Sequence, residues 1–200
     1  MAIYFNKKLY KHYGGTGARV DIEKNFVVVL QHPVTTEFDD AYRQMRETLM
    51  AIHEYQIPAV VLWPNVDAGA DFTAKAIRDF RESYTLSNIH YFRNFVPEDF
   101  LALLMKSKCL VGNSSAGIRE CSFLGVPVIN IGNRQRGRER GMNVIDVTHS
   151  KDEIVTAIGK HFKNGSKYPS STLYGDGAAG EKIADILAEV TPRVEKNFEV

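Results

Sequence analysis

The chain has 200 residues, 44% of them hydrophobic and 24% charged, and a formal net charge of +1. That is enough apolar material for one substantial core, and too little charge asymmetry for a broad electrostatic grip on nucleic acid or an anionic membrane. The longest apolar runs, "FVVVL" and "AVVLW", are strand-length and far short of a bilayer span.

The N-terminal "MAIYFNKKLYKHYGG" is too polar and interrupted for a signal peptide. Residues 1–24 show no clear period and are predicted to be irregular, with "GGTGAR" a mobile loop. "NFVVVLQ" (Asn25–Gln31) reads as a buried strand. A helix is predicted from about Asp39 to Tyr55, with Tyr42, Met45, Leu49 and Ile52 on one face. "AVVLW" (Ala59–Trp63) is a second strand stopped by Pro64, and Phe72, Ala76 and Phe80 mark the next amphipathic helix. A strand at Ile89–Phe92 and a helix opened by Pro97 follow. "KCLVG" is again a strand, "NSSAG" leads into a helix, and "PVINI" (Pro127–Ile131) and "NVIDV" (Asn143–Val147) are strands. Helices over Lys151–Phe162 and Gly180–Val190 complete the chain.

Apolar strands separated by helices predict a doubly wound α/β domain with a mainly parallel sheet, Rossmann-like, over residues 25–200. Cys109 and Cys121 sit in apolar surroundings without metal-ligand spacing, which reads as a reduced, cytoplasmic protein with two buried thiols. His12, His53, His90, His149 and His161 share no spacing that would hold a metal.

Ligands of open parallel sheets bind beyond the carboxyl ends of the strands. The segments that leave those ends are "QHPVTTE", "PNVDAGAD", "NSSAGIRE" and "GNRQRGRERG", predicted to meet in one large site. Gly112 and Gly117 let the backbone turn tightly beside a ligand. Ser114 and Ser115 offer hydroxyls beside the amides of a helix's first turn, which suits an anion. The alternative is that Asn113 or a serine merely caps that helix. Glu120 lies too far along to hold a phosphate and suits a pair of sugar hydroxyls. Arg134, Arg136, Arg138 and Arg140 form either a solvated basic loop or, beside the serines, a fork for a diphosphate. His32 is the one histidine directly after a buried-type strand, placed to donate to a phosphate or to act as general acid or base. Asn65 and Asp67 either meet a hydroxyl or base edge or build an Asx turn.

Together "LQHPVTTE", "WPNVDAG", "VGNSSAGIRE", "GVPVINIGNRQRGRERGMNVIDV" and "YGDG" resemble the UDP-N-acetylglucosamine 2-epimerases, from about Phe26 to Gly177. The resemblance is to the hydrolysing branch that feeds sialic-acid-type sugar synthesis. It implies the C-terminal, nucleotide-binding half of a two-domain GT-B fold, whose active site lies between two Rossmann-like halves. The missing N-terminal domain is then a required partner. By resemblance Ser114 and Ser115 bind the UDP diphosphate, Glu120 the ribose, Arg134 the nucleotide or its phosphates, and Asn65 also lines the UDP site. By the same resemblance His32 matches the family's catalytic histidine, which assists the departing UDP. Asp67, Arg93, Gly117 and Arg138 are further candidates. Phe95 stands where the animal enzymes' pattern has a histidine, with Arg93 nearby as a substitute. The implied reaction removes the proton at the sugar C2 while UDP leaves C1, then adds water to the glycal, with no metal or redox cofactor. The ligand is UDP or a UDP-N-acetylhexosamine. A lone half would leave an apolar face uncovered, so a homo-oligomer is expected. Two other functions fit the same motifs: half of a GT-B nucleotide-sugar glycosyltransferase, and a non-catalytic UDP-sugar-binding module.

Overall fold

Valine-rich runs without a polar face belong in the middle of a sheet, because only there are both faces covered. The computed structural model describes residues 9–85, 87–165 and 167–191. The strands are β1 (Thr16–Gly17), β2 (Val27–Leu30), β3 (Ala59–Leu62), β4 (Ile89–Phe92), β5 (Leu110–Gly112), β6 (Val128–Ile131) and β7 (Val144–Val147). The helices are α1 (Ala41–Tyr55), α2 (Ala70–Ser83), α3 (Pro97–Lys106), α4 (Ser115–Ile118), α5 (Glu120–Leu124), α6 (Lys151–Asn164) and α7 (Ala179–Glu189).

The strand order is β1-β4-β3-β2-β5-β6-β7. Every neighbouring pair is parallel except β1 with β4. Met45, Leu49, Ile52, Ile77, Phe80, Ile154 and Ile158, from α1, α2 and α6, pack in one buried cluster with Val27, Val29 and Val61. On the other face Leu103, Leu104 and Cys121 pack with Val28, Val60 and Leu110. This is the doubly wound, Rossmann-like α/β fold that the alternation predicts. Both cysteines are buried, and burial pushes the Cys109 thiol up to about 12. Among the described residues, no helix is long and apolar enough to cross a membrane.

Four local expectations are corrected. Residues 1–8 of the segment expected to be irregular lie outside the described residues, and within 9–24 residues 9–13 are helical and Thr16–Gly17 pairs antiparallel with β4. Leu9, Val20 and Ile22 lie in the same core as Phe26 and Phe92. A period-based reading missed them because Leu9 lies on a short helical stretch and Val20 and Ile22 on a loop, where no period repeats. Before α1, Thr35–Asp40 is a 3-10 stretch, so the α-helix starts at Ala41. In α2 the buried stripe runs through Thr73, Ala76, Ile77 and Phe80, while Phe72 is exposed. The helix after the serines is broken at Arg119 into the short α4 and α5.

The last helix among the described residues, α7, has no buried residue, and Ile183, Ile186 and Leu187 stand in solvent. The feature that positions a site is at the sheet centre. From β2 the chain proceeds to β3 and β4 on one side, and from β5 to β6 and β7 on the other. The connections therefore diverge between β2 and β5, and that divergence opens a crevice at the carboxyl ends.

Candidate functional site

The crevice depends on the close approach of β5 to β2. Gly112 has φ +140°, and a Cβ there would lie 2.1 Å from the Leu30 carbonyl oxygen, so only glycine fits. The next residue, Asn113, is fully buried and joins three loops. Its Oδ1 accepts from the His32 backbone N–H at 2.7 Å, and its Nδ2 donates to the His32 carbonyl at 2.8 Å. Its own carbonyl accepts from Gln135 Nε2 at 2.8 Å and from Arg134 Nη1 at 3.3 Å. The loops after β2, β5 and β6 are thus fastened at one residue.

His32 is only 5% exposed. Its Nδ1 accepts from the Asn65 backbone N–H at 3.1 Å, which leaves the proton of the neutral ring on Nε2. Burial, with the Arg134 guanidinium nearby, pushes its pKa down to about 4, against a smaller upward pull from Asp67. At neutral pH His32 is therefore an uncharged hydrogen-bond donor. Arg134 is pinned from two sides, by the Asn113 carbonyl and by the Asp67 carboxylate at 3.6 Å from Nη2.

Ser114 caps α4, its Oγ accepting from Ala116 N–H at 3.3 Å. The hydroxyl hydrogen remains free to donate, so the cap and the ligand roles are compatible. A four-residue helix has little macrodipole. The attraction for an anion comes instead from the guanidinium, the hydroxyls and the His32 N–H.

These groups border two arms of one crevice. The first, of about 640 Å³, is lined by His32, Asn65, Arg93, Ser114, Ser115 and Arg134 over an apolar floor that includes Trp63, Phe95 and Phe100. The second, of about 570 Å³, is lined by Thr35, Thr36, Asp67, Asn133, Gln135, Arg136 and Arg138. Ser115 and Arg134 face both arms, so they stand at the junction. A flat apolar group suits the first arm, and a strongly anionic group suits the junction.

The family described as UDP-N-acetylglucosamine 2-epimerase matches residues 2–188. The chain belongs to the UDP-N-acetylglucosamine 2-epimerase family.

Among curated relatives in that family, the chain is 29% identical over 170 residues to the UDP-N,N'-diacetylbacillosamine 2-epimerase (hydrolyzing) of Legionella pneumophila, covering 85% of this chain and 44% of that protein. It is 36% identical over 141 residues to the polysialic acid biosynthesis protein P7 of Escherichia coli, covering 68% and 34%. The chain thus spans less than half the length of these relatives. By structure it is similar to the UDP-GlcNAc 2-epimerase of Neisseria meningitidis bound to UDP-GlcNAc, with a TM-score of 0.64 at 17% identity, covering 86% of this chain and 46% of that one. The enzyme of Methanocaldococcus jannaschii in complex with UDP-GlcNAc and UDP gives a TM-score of 0.63 at 15% identity, covering 94% and 48%.

Of the residues expected from the family resemblance, His32, Asn65, Ser114, Ser115, Arg134 and Arg93 border the first arm, and Asp67 and Arg138 the second. Phe95 lies in the first arm's floor, with Arg93 exposed beside it. Two expected residues are not among those that line either arm. Glu120 is exposed at the start of α5, beyond the break at Arg119, and lines neither. Gly117 is buried for a packing reason, since a Cβ there would sit 2.8 Å from Val128 Cγ1. Two residues that sequence reasoning passed over are Asn113, read only as a cap, and Gln135, hidden in an arginine-rich run. Their only sequence signal is position, Asn113 being the first residue after β5 and Gln135 the fourth after β6.

Proposed function

We propose that this domain holds the leaving-group side of a hydrolysing UDP-sugar 2-epimerase. The observation that carries the reading is the convergence of Arg134, Ser114, Ser115 and the neutral His32 on one crevice with an aromatic floor. In this reading the uracil rests among Trp63, Phe95 and Phe100, and the diphosphate sits against Arg134 and the serines. Elimination of UDP concentrates charge on the diphosphate, so donors already fixed in place lower the barrier for that step. His32 gives a hydrogen bond through Nε2–H rather than a full positive charge, and the fixed Asn65 N–H keeps that tautomer. Arg134 exchanges its long contact to Asp67 for the phosphates.

The base that takes the C2 proton and the groups that direct water to C1 belong to the other half of the enzyme in this reading. The sugar product is the 2-epimer, and this chain is the C-terminal, nucleotide-binding half. By itself it binds UDP and turns over nothing measurable.

Calorimetric titration of the chain with UDP and with UMP tests the clamp. UDP should bind appreciably more tightly than UMP, because only its second phosphate reaches the junction. Equal affinity for the two would remove the clamp from the reading. Robust epimerase activity of the isolated chain would overturn the division of labour.

A further inference from the structure

Residues 9–20 form a strap along the sheet edge beside β4, held by more than a two-residue strand supplies. Thr16 and Gly17 pair with Tyr91 and His90. His90, itself 5% exposed, brings its two ring nitrogens to 3.0 Å from the Ala18 carbonyl and 3.2 Å from the Gly14 carbonyl, so the strap is gripped on both sides of β1. Tyr10 Oη donates to the Val20 carbonyl at 2.7 Å and accepts from the Val20 N–H at 2.8 Å, which ties the two ends of the strap together. Backbone fastened at these points holds Tyr13, the last residue of the helical stretch, in one place.

Tyr13 reaches the first arm. Its Oη donates to the Asp99 carboxylate in the first turn of α3, and its ring lies 4.5 Å from the Phe95 ring at an interplanar angle of 57°. Phe92 meets Phe95 at 4.9 Å. Phe95 sits on the turn between β4 and α3, is 6% exposed, and belongs to the floor of that arm. Of its two aromatic neighbours, Phe92 is fixed by the sheet, whereas Tyr13 is supplied by the strap. Trp63 is less confined, because it borders a further cavity of about 350 Å³ on which Tyr13, Thr16, Arg81 and Arg93 also stand. The attitude of the floor therefore depends on Phe95, and aromatic contacts depend strongly on ring orientation.

We infer that Tyr13 is a positioning residue for the nucleobase: through Phe95 it sets the tilt of the first arm's floor, which makes the N-terminal strap part of the nucleotide-binding machinery. The inference rests on the proposed seating of the uracil in the first arm.

The test compares affinities of the full chain for UDP and for inorganic pyrophosphate, read by calorimetry, in the natural protein, Tyr13→Leu and Tyr13→Phe. Leucine keeps apolar bulk but removes the ring and its tether, and should weaken UDP by about three- to tenfold while pyrophosphate changes less than about twofold. Tyr13→Phe restores the ring contact and should recover most of the UDP affinity. In a Phe95→Leu background, Tyr13→Leu should cost UDP nothing further, since the group it positions is gone. Equal losses for UDP and pyrophosphate would overturn the inference, because Tyr13 would then act only on general stability. So would an unchanged UDP affinity in Tyr13→Leu, or losses that simply add in the double variant. If the natural chain binds UDP no better than pyrophosphate, the seating of the base fails and this inference falls with it. A base-dependent gain in the natural chain that Tyr13→Leu leaves intact removes the inference alone.

Discussion

Replacing Asn113 by alanine tests whether one buried amide holds the site together. The substitution removes the two hydrogen bonds to the main chain of His32, at 2.7 and 2.8 Å. It leaves an N–H and a C=O unpaired on a residue that is 5% exposed. Each unsatisfied buried group costs about 1–3 kcal/mol, so the pair predicts a loss of about 2–6 kcal/mol. Against a typical domain stability of about 5–15 kcal/mol this is a large fraction. Asn113→Asp separates the two bonds, because a carboxylate still accepts from the His32 N–H but turns a second oxygen toward its carbonyl. Urea unfolding followed through Trp63, the chain's single tryptophan, gives both values, with an unchanged m confirming that stability alone moved. UDP affinity should fall in both variants, because His32 and the serines lose their common anchor. A loss in Asn113→Ala below about 1 kcal/mol, with UDP binding intact, would refute the reasoning.

The depressed pKa of His32, about 4 against about 6.5 in an unfolded chain, predicts acid sensitivity. Between those values the unfolded chain takes up a proton that the folded chain refuses, so stability falls as pH drops through this window, by up to about 3 kcal/mol. His32→Gln should lose less stability than the natural protein between pH 7 and 4.5; parallel pH profiles would contradict the assignment. Gly117→Ala drives a methyl to 2.8 Å from Val128 Cγ1 and should cost about 1–3 kcal/mol in thermal or urea unfolding. Adding Val128→Ala should recover part of that cost, and strict additivity of the two would rule out the clash. In an assembled enzyme containing this domain, Arg134→Ala should lower kcat by about 10²–10³-fold if the guanidinium meets charge formed in the transition state. A change confined to KM would instead assign it to uniform binding.

The central fold was legible because β2, β3 and β5 are bare apolar runs, β6 departs from one only at Asn130, and α1 repeats its apolar residues at helical spacing. Met45, Leu49 and Ile52 are fully buried, as that spacing requires. Other elements were hidden by the physics that makes them work. β1 is two residues long and owes its existence to pairing with β4, which no local pattern announces. In α2, Phe72 imitates the core period, yet Thr73 and Ile77 take the inward positions. The strand-exit loops identified the crevice, since topology alone brings His32 and Ser114 to neighbouring strands. What sequence could not resolve was the division of labour among polar residues. Asn113 and Gln135 act through partners 81 and 22 positions away, and such pairings exist only once the sheet is built. Gly117 shows the converse, since within the same motif it serves the packing against Val128.

The two arms of the crevice have separate linings apart from Ser115 and Arg134. Substitutions along Trp63, Arg93 and Phe100 are therefore free to drift without disturbing Thr35, Thr36 or Gln135, and their effects on affinity should add. A lineage can then exchange one cargo for another by rewriting a single wall, while the shared hinge residues keep the same grip.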